Sequence, residues 1–205
     1  MELESIKKIY AGYSNVYDVI FKRMFYPRIK HAITTMDIQP GEKVLDVGMG
    51  TGLSLEIYPP HCQITGVDIS EHMLGKAKKK AEKRGMTNVD FKVMDAMNLE
   101  FEDNSFDHVF TSHVMSVVPD PAKAISEIKR VCKPGGQIVV VNHFKSRNKM
   151  LRKGAELLNP IARKVGWNSD ICLDEFLEVA NLKVVKQFKL KKIDLWHLVF
   201  AVNEK

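Results

Sequence analysis

The stretch Val44-Leu45-Asp46-Val47-Gly48-Met49-Gly50-Thr51-Gly52 decides the fold. The apolar residues around Asp46 read as a short buried strand, and the glycines bound it. Three glycines at alternate positions then let the backbone turn sharply and approach a ligand closely, because a residue without Cβ tolerates positive φ. The spacing is G-x-G-x-G, not the G-x-G-x-x-G that seats a pyrophosphate on a helix N-terminus. Asp46 stands two residues before the first glycine. A carboxylate there opposes an anionic ligand and favours one that carries positive charge.

Outward from this turn, strands and helices alternate. Gln39-Pro40-Gly41-Glu42 turns into the first strand, about 43–47. Leu53 to Tyr58 reads as a helix stopped by Pro59-Pro60. Ile64 to Asp68 is a second strand ending in an acid, and Ser70 caps a helix that runs to Arg84 and stops at Gly85. Val89 to Val93 is a third strand, leading to Asp95-Ala96, and Phe106 to Thr111 a fourth. Pro121 opens a helix to Val131. Lys133-Pro134-Gly135-Gly136 turns into a fifth strand, 137–141, that ends in Asn142-His143-Phe144. An amphipathic segment, 146–167, breaks at Pro160. Leu173 to Ala180 is a helix, and Val184 onward and Leu195 to Val202 read as two antiparallel strands. The pattern predicts one doubly wound, Rossmann-like α/β domain over 1–205, mostly parallel with an antiparallel C-terminal strand and helices on both faces. Residues 1–36 form N-terminal lid or membrane-interface helices, and 145–180 an insertion that shapes the acceptor site.

Those N-terminal helices differ from the rest. Tyr10, Tyr13 and Tyr17 share a face at i, i+3, i+7, and Gly12 with Ser14-Asn15 separates two helices. The second carries Phe21, Met24 and Phe25 with Lys22 and Arg23 among them. Aromatic rings beside cations suit an anionic membrane surface, the rings at the acyl boundary and the cations at the headgroups. The same residues also suit a lid packed on the core.

Composition bounds the partners. The net charge of +6 is uneven: +3 over residues 1–30, −3 over 31–144, +7 over 145–192 and −1 over the rest. The body around the glycine turn is mildly acidic and its flanks are basic, so an anionic surface would meet the flanks. Cys62, Cys132 and Cys172 stand far apart with no C-x-x-C, which argues against a zinc site or disulfide framework. No apolar run is long enough to span a bilayer and no leader pattern opens the chain. The expectation is a cytoplasmic protein peripherally associated with the inner face of the membrane.

In an open α/β sheet, ligands sit beyond the carboxyl ends of the strands. Asp46, Asp68, Asp95 and Asn142 all fall at or near such ends. The glycine turn with Asp46 resembles motif I of the class I S-adenosylmethionine (SAM) methyltransferases. The resemblance implies that SAM is held by Gly48, Gly50, Thr51 and Gly52 with Asp46 beneath, by Asp68 at the ribose hydroxyls, and by Ile69, Met73, Asp95, Ala96, Met97 and Ser112 around the adenine end. It implies no metal.

Four further stretches resemble the short soluble bacterial phospholipid N-methyltransferases: Tyr10-Ala11-Gly12-Tyr13 with Val16-Tyr17-Asp18, Gly50 to Leu55, Val117-Val118-Pro119-Asp120-Pro121, and Val141-Asn142-His143-Phe144. Such enzymes convert phosphatidylethanolamine to phosphatidylcholine through mono- and dimethyl forms, and relatives methylate ornithine lipids. A headgroup amine must be neutral to attack a methyl group, so a positioned base helps. His143 is the first candidate for accepting the proton or holding the headgroup, and His113 competes for the role. Tyr17, with Tyr10 and Tyr13, offers cation–π faces for the methylated product or clamps the SAM carboxylate. Asn142 joins His143 at the headgroup, and Arg152, Arg163 or Lys164 would meet its phosphate.

Three other readings compete. A small-molecule or quinone methyltransferase would not require the basic N-terminal helices. A SAM-binding, non-catalytic membrane adaptor would keep Asp46 and Asp68 without turnover. Methylation of a nucleic acid is disfavoured, because the fourth strand runs into Thr111-Ser112-His113-Val114, not the Asp/Asn-Pro-Pro-Tyr/Phe motif of amino-group base methyltransferases. Oligomeric state is left open.

Overall fold

The computed structural model describes residues 14–145, 172–191, 194 and 196–205, with side chains from residue 24 onward. Helix α1 (Ser14–Thr35) includes Pro27 in its interior. Strand β1 (Lys43–Val47) follows, then β2 (Gln63–Asp68), α2 (Glu71–Lys83) and β3 (Val89–Val93). Next come β4 (Phe106–Ser112), α3 (Pro121–Val131), β5 (Cys132–His143), α4 (Leu173–Ala180), β6 (Lys183–Phe188) and β7 (Trp196–Val202). Among the described residues the strands form one sheet in the order β3-β2-β1-β4-β5-β7-β6. The first five pair in parallel, and β7 is antiparallel to both β5 and β6. Strand order reverses between β1 and β4, and such a switch point opens a crevice at the carboxyl edge.

The central strands are apolar on both sides because helices cover both faces. Leu45, Val109, Ile138 and Val140 pack with Ile125, Ile128 and Val131 of α3 and Phe176 of α4. On the other face, Val44, Phe110, Val139 and Val141 pack with Ala77 of α2 and with Phe25, Ile29 and Ile33 of α1. Burial at positions 25, 29, 32, 33 and 36 is the i, i+4, i+7, i+8, i+11 stripe of a helix laid on a sheet. Ser70 caps α2 as expected, its Oγ accepting from Met73 N–H, and Pro121 opens α3, which the Asp120 carboxylate caps by accepting from Lys123 N–H.

Three segments depart from the sequence expectation. Residues 53–58 are a series of turns, not a helix. Ser54, Leu55 and Tyr58 are all turned inward and buried, and the run before Pro59 is too short to offset that with helical hydrogen bonds. Lys133 to Gly136 does not precede β5 but lies inside it, as an irregularity between the Phe106–Cys132 and His108–Gln137 pairs. Phe25, expected at a membrane, is 7% exposed and faces the core. Arg28 from the same basic helix also turns inward.

At the end of the sheet opposite the crevice, Asn203 latches β7 to the α3–β5 junction. Its Nδ2 donates to the carbonyls of Lys129, Cys132 and Lys133 at 3.0, 2.8 and 3.3 Å. Asn203 is 1% exposed, so its loss strands buried carbonyls. Asn203→Ala is expected to lower unfolding free energy by about 1–3 kcal/mol. Denaturant titration reads this, with cofactor affinity unchanged because the latch lies away from the crevice.

Candidate active site

The glycine turn begins where β1 ends. Gly48 and Met49 N–H both donate to Val67 O of β2, at 2.8 and 3.0 Å. Gly48, Gly50 and Gly52 all have positive φ. At Gly48 (φ +74°) a Cβ would lie 2.0 Å from a γ-methyl of Val114, so only glycine lets this turn press against the β4 end.

Two carboxylates fix the turn from different sides. Asp68 Oδ2 accepts from Gly50 N–H at 2.8 Å, and its Oδ1 accepts from Ser70 N–H at 2.9 Å. One acid therefore ties the turn to β2 and to the start of α2, and burial pushes its carboxyl pKa up. Asp46 points beneath the turn. Its Oδ2 accepts from Ser54 Oγ at 2.5 Å and Tyr58 OH at 3.0 Å. Burial pushes the Asp46 carboxyl up to about 6, against the downward pull of those two hydroxyl hydrogen bonds. Asp46 does not line the crevice; it braces the loop that does.

The crevice, its open mouth included, takes in about 840 Å3. One wall is Gly48, Gly50, Asp68, Ile69, Ser70 and Met73. A second is Met94, Asp95 and Ala96. A third is Ser112, His113 and Val114, and Val117 to Pro119 close the far side. Asp68 offers remaining lone pairs to a vicinal diol, and apolar Ile69, Met73 and Met94 offer faces to a flat heterocycle. The Asp95 side chain accepts from Met97 N–H at 2.9 Å, which shapes the 95–98 turn. Thr51, Gly52 and Met97 are absent from the lining. This donor set fits an adenosyl group: a paired acid for ribose, a lipophilic slot for adenine, and glycine amides near the charged end.

The inner wall is aromatic. His113 holds φ +64°, a conformation that a non-glycine residue keeps only when its surroundings impose it. Its N–H donates to Val141 O at 2.8 Å, and its Nδ1 shares a 2.6 Å hydrogen bond with Ser112 Oγ. Its Nε2 is buried with no hydrogen-bond partner among the described residues. The Phe25 ring lies 3.9 Å from the imidazole, centroid to centroid, and Trp196 lies 6.4 Å away. His143, 4% exposed, has its ring 5.9 Å from Trp196. Burial, then Arg28 and His143, push His113 down to about 3. Burial, then Lys189, push His143 down to about 4. Both imidazoles are neutral at neutral pH.

The strand ends thus bring together Asp68, Ile69, Met73, Asp95, Ala96, Ser112 and His113 around one crevice. His143 stands behind His113 on the same face of the sheet. Asn142, wholly buried, projects to the opposite face, where its Nδ2 donates to His143 O at 2.7 Å. Asp107 lies at the far end of β4 and accepts from Lys43 N–H and Lys133 Nζ, a structural position. Tyr10, Tyr13, Arg152 and Arg163 lie outside the described residues, as do the side chains of Tyr17, Phe21, Lys22 and Arg23. Within the expected 145–180 insertion, α4 packs on α3 through Phe176 and Ala180 and does not line the crevice.

Sequence reasoning missed four participants. Ser54 and Tyr58 stand 8 and 12 residues beyond their partner Asp46. Trp196 and Asp194 belong to the last strand and the residue pair before it. A tryptophan opening a strand opposite Asn142-His143 was the available signal, and the pairing that places it there is antiparallel and long-range.

Comparison with known proteins agrees with this geometry. The family described as "Methyltransferase domain" matches residues 45–140. The chain is 35% identical to a phosphatidylethanolamine N-methyltransferase of Cereibacter sphaeroides over 188 residues, 91% of this chain and 92% of that protein. It is 37% identical over 144 residues to a demethylmenaquinone methyltransferase of Staphylococcus epidermidis, 66% of this chain and 59% of that protein's length. Among solved structures, a putative methyltransferase from Bacillus halodurans has TM-score 0.76 at 18% identity, covering 87% of this chain and 100% of that one. A SAM-dependent methyltransferase from Aquifex aeolicus has TM-score 0.67 at 20% identity, covering 99% of each chain. These two likenesses show the fold.

The elevated Asp46 pKa carries a stability consequence. The folded chain holds this proton up to about pH 6, whereas the unfolded chain releases it near pH 4. Stability from this site is therefore full below about pH 4 and falls as pH rises through about 6. Asp46→Asn keeps an acceptor for Ser54 and Tyr58 without the buried charge. It is expected to raise the stability of the ligand-free chain at pH 7.5 by about 2 kcal/mol, with the gain vanishing near pH 4. Paired thermal melts at the two pH values check it.

Proposed function

This chain belongs to the class I SAM-dependent methyltransferases, and from that premise we propose that it methylates the amine headgroup of a membrane lipid. The reading is phosphatidylethanolamine carried towards phosphatidylcholine through mono- and dimethyl intermediates. One observation carries it: the likeness to the Cereibacter sphaeroides enzyme extends over 91% of this chain, beyond residues 45–140 of the shared domain and into the segments that flank the acceptor side. The quinone relatives match over only 66%.

The cofactor contacts proposed are Asp68 to the ribose, the Asp95-Ala96 turn and Ile69 to the adenine, and the Gly48–Gly50 turn to the methionyl end. Asp46 supplies negative potential below that end. When bound there, SAM supplies an electrophilic methyl group on a sulfonium.

The chain's own residues act on the acceptor. Transfer to a neutral amine moves one positive charge from sulfur to nitrogen, so the site must first exclude the ammonium form. The burial that drives His113 and His143 down to about 3 and 4 acts in the same direction on a buried ammonium. Imidazoles so weakly basic do not strip a proton from an alkylammonium. His113, backed by His143, serves instead as a hydrogen-bond acceptor that orients an N–H-bearing amine in the first two steps, after it has lost its proton to water. The tertiary amine of the last step has no N–H and rests against the aromatic wall. In the tautomer whose Nδ1–H donates to Ser112 Oγ, Nε2 of His113 keeps the free lone pair proposed as that acceptor, which the arriving amine must reach at the edge of the wall. Phe25 and Trp196 bound the same wall and keep water from it. Tyr17 with Tyr10 and Tyr13 is proposed to complete the cover, Asn142 to hold the turn after β5, and Arg152 or Arg163 to meet the phosphate.

Lys22 and Arg23, with Phe21, are proposed to rest on an anionic membrane surface. No helix among the described residues is long and apolar enough to cross a membrane, so the lipid would be met from the side. Lys22→Glu with Arg23→Glu is expected to reduce co-sedimentation with anionic vesicles while SAM affinity holds; unchanged sedimentation removes this anchor.

Methyl transfer from radiolabelled SAM tests the function. Vesicles would contain phosphatidylethanolamine, its mono- and dimethyl forms, ornithine lipid or demethylmenaquinone, each with an anionic lipid. The expected result is label in the phosphatidylethanolamine series, strongest for the step the site favours. Label confined to ornithine lipid or the quinone, or none with SAM bound, overturns the assignment.

A further inference from the structure

Behind the His113 wall sits an ion pair that the chemistry described so far does not use. Arg28 of α1 and Asp194 before β7 are joined in bidentate fashion, Nε to Oδ2 at 3.0 Å and Nη2 to Oδ1 at 2.7 Å. Their side chains are 14% and 1% exposed. Arg28 Nη1 also donates to Met24 O, and the guanidinium lies 4.4 Å from the Trp196 ring centroid. Asp194 Oδ1 accepts from Trp196 N–H at 3.2 Å. One turn of α1 is thereby fastened to the start of β7.

Such a pair is costly to bury, and apolar residues of equal volume would hold the two elements as well. Its position suggests a different reason. Phe25, three residues before Arg28, touches His113 at 3.9 Å, and Trp196, two residues after Asp194, faces both His113 and His143. The ion pair sets where both rings stand.

We propose that Arg28 is a positioning residue for methyl transfer: its clamp on Asp194 and Trp196 seats Phe25 against His113 and holds that imidazole at the crevice wall. The inference rests on the reading of His113 as the residue that orients the acceptor amine. The groups facing His113 are Arg28 and Phe25 from α1, His143 from β5 and Trp196 from β7, with Asp194 behind Arg28. Arg28 is the cation among them, and its charge opposes an imidazolium while Asp194 keeps it in place.

The test uses the full chain and two variants. Arg28→Met combined with Asp194→Leu removes the pair without leaving an orphan charge; Arg28→Lys keeps a charge but loses bidentate and stacked geometry. SAM affinity is measured by calorimetry, kcat and KM with amino-lipid vesicles, and His113 titration by NMR. The double variant is expected to keep SAM affinity within about twofold and to lose roughly 10- to 100-fold in kcat. Its His113 should titrate closer to an ordinary histidine. Arg28→Lys should fall between. Wild-type kcat with unmoved His113 titration overturns the proposal, and so does loss of SAM affinity in step with kcat, which would make the pair a fold element. If no amino-lipid is methylated by the wild type, the substrate reading fails, and the titration of His113 still decides the role of Arg28.

Discussion

The buried carboxylate of Asp46 is the constraint on which the site depends. An acid at the end of a fully covered strand has no water to turn to, so hydroxyls 8 and 12 residues further on reach it. Ser54 and Tyr58 do so by folding residues 53–58 back under the glycine turn. That inward fold sacrifices a helix that the local sequence would otherwise permit. It also gives the glycine turn a floor, against which Asp68 pins Gly50 from the side. Remove the acceptor and both the turn and its floor lose their reason for this shape.

Much of this was legible because it is local. Parallel strands reveal themselves as apolar runs, α2 by its Ser70 cap and α3 by Pro121 in its first turn. Asp68, Asp95 and His113 could be placed at one edge because a parallel sheet puts the ends of its strands together. What was not legible depends on partners far away in sequence. Arg28 and Asp194 are separated by 166 residues, and nothing near Arg28 distinguishes an inward guanidinium from a solvated one. Phe25 was read as facing a membrane because aromatic and basic residues alternate around α1. The direction of that helix is set by the sheet it lies on, not by its own pattern. The bulge at Lys133–Gly136 looked like a turn because its glycine and proline are the same residues that a turn uses.

The acceptor side gains its chemistry from exclusion. Two imidazoles, an indole and a phenyl ring form a wall in which a charge is costly, with a guanidinium behind it. Such a wall does not need a strong base. On the proposed reading it would shift an entering amine towards its neutral form, by the same burial that keeps the imidazoles neutral.

The insertion of β7 between β5 and β6 bears on the order in which the molecule assembles. Every residue lining the crevice lies between Val47 and Pro119, with no pairing across it longer than the 64 residues from β1 to β4. The acceptor wall joins α1 to the opening of β7, across nearly the whole polypeptide. Contacts of such long sequence separation form late, since their loop entropy is met only after other structure exists. A newly made chain would thus acquire a nucleoside pocket well before it could present an acceptor, and reactivity would appear only when the final hairpin has wedged into the sheet.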